Sequence, residues 1–149
     1  MTTAEILEMN RPMKQRLLDF PGLIRKQKEK LEAARRALKE AQATANELEA
    51  EMIALIAAEV NPNTGKAAFS NAEARAAELI RRKANNLTYR SAALAVKSAE
   101  EEVNAAQFDL ERLYDEFRAY RYVVDLTARE LALLAVDYHS ESRAAAEPY

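Results

Sequence analysis

The side chains able to do chemistry in this 149-residue chain are few and scattered. Lys66 follows Gly65 in Asn61-Pro62-Asn63-Thr64-Gly65-Lys66, and a Gly-Lys step suggests a phosphate-binding loop. Such a loop needs a leading glycine and a preceding strand, both missing here, so Lys66 reads as a solvated lysine in a turn. Glu100, Glu101 and Glu102 offer three carboxylates. Consecutive helical residues point about 100° apart and cannot converge on one cation, so they read as a solvated face. His139 is the single histidine. A four-helix di-iron site needs Glu-x-x-His on two helices, and a triad needs a nucleophile held against the imidazole. Neither is present, which leaves His139 as a residue near the end of the last helix. Tyr114, Tyr120, Tyr122 and Tyr138 could stack on bases, but at helical spacing among Leu and Val they read as packing or interface residues. The absence of cysteine removes thiolate chemistry and cysteine-based metal sites. No acid, base, nucleophile or ligand set is assembled, so the sequence predicts a non-enzymatic protein without catalytic, metal or cofactor residues.

Charge is more informative. Lys66, Arg75, Arg81, Arg82, Lys83 and Arg90 form a basic cluster, of which Arg75, Arg81, Arg82, Lys83 and Arg90 are the candidate phosphate contacts. A second basic stretch, residues 11–30, holds seven basic and two acidic side chains, against five and twelve in residues 100–149. In an antiparallel arrangement each basic stretch lies near an acidic one, and the complementarity would fix register. With a net charge of −2, the expected nucleic-acid binding is weak and sequence-independent.

The elements behind these side chains are helices. Alternating steps of three and four give an apolar row at Tyr89, Ala92, Val96, Ala99, Val103, Ala106, Leu110, Leu113, Phe117, Tyr120, Val124, Thr127, Leu131, Leu134 and Tyr138, with Thr127 its clearly polar member. A second row runs through Ile24, Gln27, Leu31, Ala34, Leu38, Ala41, Ala45, Leu48, Met52 and Leu55. Rows of this kind need a partner helix, and each is the other's obvious partner. Two glycines and four prolines leave few places for sharp turns. The fold class is all-α: a long antiparallel helical hairpin, expected as a single elongated domain.

Boundaries follow from caps and breakers. Thr2 and Glu5 have capping-box spacing and start an N-terminal helix over 1–20, with Ile6, Met9, Met13, Leu17 and Phe20 on one face and a kink or restart at Pro12. Pro21-Gly22 separates it from the first long helix, 23–60. Residues 61–70 turn the chain, and Ser70 with Glu73 forms a second capping box opening a short helix over 71–84. Asn85-Asn86-Leu87-Thr88 either kinks or breaks the chain before the second long helix, 88–138, and a tail over 139–149. A continuous helix would set Ile24 beside about residue 107; a break would set it nearer Val124.

Residues 120–136 are apolar on two adjacent faces, which implies two neighbours. The candidates are the N-terminal helix and another subunit. The interface residues are Phe117, Tyr120, Val123, Val124, Leu126, Leu131, Leu133 and Leu134, and self-association with an unidentified protein partner besides is expected. The N-terminus has neither a basic region nor an apolar core, and no stretch approaches the roughly twenty apolar residues of a bilayer span, so a soluble cytoplasmic protein without membrane contact is expected.

The stretch from Asn63-Thr64-Gly65-Lys66 through Phe69-Ser70-Asn71, Ala74-Arg75, Arg81-Arg82 and Tyr89 to Phe117-Arg118-Ala119 resembles small coiled-coil proteins encoded by phages and prophages near recombination and replication genes. The resemblance spans about residues 25–125. It implies an accessory protein acting beside DNA-processing partners and supplies no catalytic residues.

Overall fold

The computed structural model describes residues 2–146. Three helices carry nearly all of them: α1 (Thr3–Ala58), α2 (Ala72–Asn85) and α3 (Leu87–Ala146). Helices α1 and α3 pack against each other, in the all-α architecture expected from the two apolar rows.

Helix α1 starts at the expected capping box. The Thr2 backbone N–H donates to Glu5 Oε2 at 2.7 Å, and the Glu5 N–H donates to Thr2 Oγ1 at 3.2 Å. It does not stop at Pro21: the expected separate N-terminal helix and first long helix are one 56-residue helix containing Pro12 and Pro21. Both prolines are exposed, so water can satisfy the carbonyls that lose a donor. Next to Pro21, Phe20 is wholly buried, and packing on both sides of the proline outweighs the lost hydrogen bond.

The 61–66 turn is more ordered than a simple reversal. Val60 and Ala67 form an isolated antiparallel bridge, and the Asn61 N–H donates to the Lys66 carbonyl at 2.8 Å. Asn61 Oδ1 accepts from the Asn63 N–H at 2.9 Å, and Gly65 takes the positive φ of 68° that the turn requires. Helix α2 is capped by Asn71 rather than Ser70, since Asn71 Oδ1 accepts from the Ala74 N–H at 2.7 Å. The helix breaks at Asn86, which ends α2 through its own N–H to the Arg82 carbonyl and opens α3 by accepting from the Tyr89 N–H at 3.0 Å. Helix α3 then runs past 138, so the expected tail is helical to Ala146, and residues 147–149 lie outside the described residues.

Both pairings proposed for Ile24 need correction. Phe20 touches Phe117 and Tyr120, with ring centroids 5.6 and 5.7 Å apart, and the Lys28 ammonium lies 5.8 Å from the Tyr114 ring centre. Ile24, between Phe20 and Lys28, therefore faces the 114–117 turn rather than residue 107 or Val124. Near the other end of α1, Asn86 meets Met52 and not Ala58, because the last two turns of α1 are given to α2.

The chain forms two compact units, Met1–Glu29 with Phe108–Tyr149, and Lys30–Gln107. In the first, Ile6, Phe20 and Leu110 are buried. Buried Asn10 answers the polar seam residue Thr127, whose hydroxyl lies 3.4 Å from Asn10 Oδ1, while Asn10 Nδ2 donates to the Ile6 carbonyl at 2.7 Å. Met9, expected on the inner face, is exposed, and Asn10 holds that place. In the second unit Leu31, Met52, Ile56 and Ala99 are buried. Leu55 of the expected row points out, because an uninterrupted 3.6-residue helix drifts off a strict heptad and brings Ile56 inward. No helix among the described residues is long and apolar enough to cross a membrane.

Candidate interaction surface

In the first unit α3 presents two opposed faces. Phe117, Tyr120, Val123, Val124, Thr127 and Leu131 are half-buried. Phe117 and Tyr120 meet Phe20, while Val124 and Leu131 line a cavity of about 170 Å³ with Leu7, Asn10 and Lys14 of α1. These expected interface residues are thus engaged within the chain. On the opposite side Tyr122, Leu126, Leu133 and Val136 remain 66, 40, 66 and 60 % exposed. Their steps of four, seven and three place them on one helical line, interrupted at Arg129. Leu134 flanks the seam and is 39 % exposed. The sequence set Leu126 and Leu133 in a second apolar line with Val123 on a face adjacent to the seam; the structure half-buries Val123 and leaves Leu126 and Leu133 in the outward row.

The candidate phosphate contacts belong to the second unit. Glu78 is their hub: it accepts from Arg81 Nη2 at 2.6 Å and from Arg82 Nε at 2.7 Å. Arg82 also pairs with Glu59 and stacks on Phe69, its guanidinium carbon 5.8 Å from the ring centre. Lys83 pairs with Glu49 at 2.8 Å and lies over Tyr89. Hydrogen bonds from Arg81 and then Arg82 hold the Glu78 carboxyl down to about 2. The same contacts push the Arg81 and Arg82 guanidiniums further up, and the Glu49 hydrogen bond raises Lys83. Arg75 and Arg90 are exposed and make no ion pair among the described residues. Three of the five cations are therefore committed to carboxylates: α1 supplies Glu49, and Glu59 follows directly after its last residue. Glu78 was missed, though its spacing of three and four residues from Arg81 and Arg82 marks the pairing.

Comparison with protein-family models, with curated proteins and with solved structures finds no match. The resemblance to phage coiled-coil proteins therefore rests on the sequence features alone.

The remaining chemical candidates lie apart from one another. Lys66, Glu100, Glu101, Glu102 and His139 are exposed, and no group of three His, Cys, Asp or Glu among the described residues is placed to hold a metal ion. Tyr138 and His139 are adjacent ring neighbours at 6.0 Å near the end of α3. Between the end of α1 and α2, Ile53, Ile56, Ala57, Ala76 and Leu79 line an apolar cavity of about 350 Å³ with Arg75 at its edge. From the basic stretch 11–30, Arg16 pairs with Glu116 of α3 at 3.1 Å, and Lys28 lies over the Tyr114 ring.

Proposed function

We propose that this chain is a non-enzymatic helical scaffold protein, of the kind encoded by phages and prophages, which works in the cytoplasm by binding a further protein and copies of itself. The observation that carries the reading is the exposed row Tyr122, Leu126, Leu133 and Val136 on the side of α3 turned away from α1. A helical row of large apolar side chains gains by being laid against another helix, with Leu and Tyr as anchors. Within the first unit, the packing of α3 on α1 through Phe20, Phe117 and Tyr120 supports that surface.

A second reading, a nucleic-acid accessory protein, is favoured by the exposed and unpaired Arg75 and Arg90. It is the weaker one, since Arg81, Arg82 and Lys83 already face Glu78, Glu59 and Glu49. Counterion release requires cations that are free to meet phosphates. The deciding assay is binding to single- and double-stranded DNA across a salt series, with a variant carrying Arg81→Glu, Arg82→Glu and Lys83→Glu as control. The scaffold reading expects weak binding that the triple change barely alters. Submicromolar affinity near physiological salt, with a steep salt slope abolished by the triple change, would establish the accessory reading in its place.

A further inference from the structure

Two exposed grooves, one in each unit, carry the same pattern with opposite charge. In the second unit Arg90, Ala93, Leu94 and Lys97 line a shallow groove on α3, one turn beyond exposed Leu87. In the first, Glu130, Leu133, Leu134 and Asp137 line another, one turn beyond exposed Leu126. Each has two charges seven residues apart with apolar residues three and four positions after the first charge. Each also has two leucines seven residues apart, Leu87 and Leu94 in one, Leu126 and Leu133 in the other. All four leucines are exposed, at 77, 68, 40 and 66 %. Arg90, Lys97, Glu130 and Asp137 are exposed and form no ion pair among the described residues.

We infer that the basic groove of one copy receives the acidic groove of a second copy, through Arg90 and Lys97 against Glu130 and Asp137 around paired leucines. The cations stand three residues after their leucines and the acids four residues after theirs, which puts them on opposite flanks of the leucine row. Two helices aligned in parallel set such opposite flanks against each other, as in the e and g pairing of a coiled coil. The two halves of the contact are different surfaces of the same chain, so the interface is heterologous: a copy that has used one groove still offers the other, and assembly continues until it closes or extends. Leucine burial supplies the attraction. The charges select the partner groove and exclude groove pairs of like sign.

This inference rests on the scaffold reading and names its partner surface. The test mixes two double variants: Arg90→Glu with Lys97→Glu, and Glu130→Lys with Asp137→Lys. All four positions are exposed, and circular dichroism melts of each variant check that the fold is kept. Sedimentation velocity is run on the parent, on each variant alone, on their equimolar mixture, and on Leu126→Glu with Leu133→Glu. The parent is expected to associate, more weakly as salt is raised. Each charge variant alone is expected to lose association by about tenfold or more in dissociation constant, and the mixture to regain it, with copies of the two variants alternating through both grooves. Association of the parent that is lost in the leucine variant but unchanged in both charge variants would overturn the inference and leave the scaffold reading standing. A parent that stays monomeric throughout would overturn both.

Discussion

Phe20 is the residue on which the first unit turns: it is wholly buried, meets the Phe117 ring edge-on and lies tilted against the Tyr120 ring. Phe20→Ala is expected to cost about 3–5 kcal/mol in urea unfolding, through lost burial and the cavity left behind. Leu110, also buried, is expected to tolerate Asp no better, because a carboxylate on the seam has no partner; Leu110→Asp should cost ~3 kcal/mol or more. Glu78 gives a pH signature. Its carboxyl is held at about 2 instead of 4.5, so its contribution to stability is complete above about 4.5 and is lost as pH falls from there towards 2. Thermal melts between pH 5 and 2 should fall more steeply for the parent than for Glu78→Gln, which starts lower at neutral pH; parallel acid limbs would contradict the hub. At this scale the seam was legible, because every α3 row position from Tyr89 to Leu131 is buried or half-buried. Asn10 was not, since one polar residue within an apolar row reads as an interruption until its partner Thr127 is known.

At the scale of elements, the helices were legible from period and the breaks only where side chains made them. Asn86 could be read as a break because its side chain competes for backbone donors, and it indeed caps α3. Asn86→Ala is expected to cost about 1 kcal/mol and to loosen the α2–α3 junction, which amide exchange at Tyr89 would report. Pro12 and Pro21 misled for the opposite reason: proline reports a missing donor but not whether packing elsewhere makes up the loss. If α1 is one helix carrying that cost, Pro21→Ala should raise stability by about 1–3 kcal/mol in the same urea assay. A destabilised variant would mean that the proline is needed where it stands. The one-residue shift from Ser70 to Asn71 at the start of α2 reflects two adjacent good capping residues, between which spacing alone does not choose.

At the scale of the whole molecule, the sequence contained the two rows but not where they would bind most tightly. The middle of the seam is lined by Ala34, Ala41 and Ala45 on α1 and by Ala92, Ala99 and Ala106 on α3, small side chains that bury little area. The large buried anchors lie in the Phe20 cluster of the first unit and around Met52 and Ile56 in the second. The outward row of α3 is where the molecule's proposed work is done, and one measurement addresses it most directly. Sedimentation equilibrium over a wide concentration range should give the parent a mass rising above the 16.7 kDa of one chain. The Leu126→Glu, Leu133→Glu variant should stay at one chain with its helicity intact. A parent that remains at 16.7 kDa at every concentration, or a variant that associates as the parent does, would contradict the account.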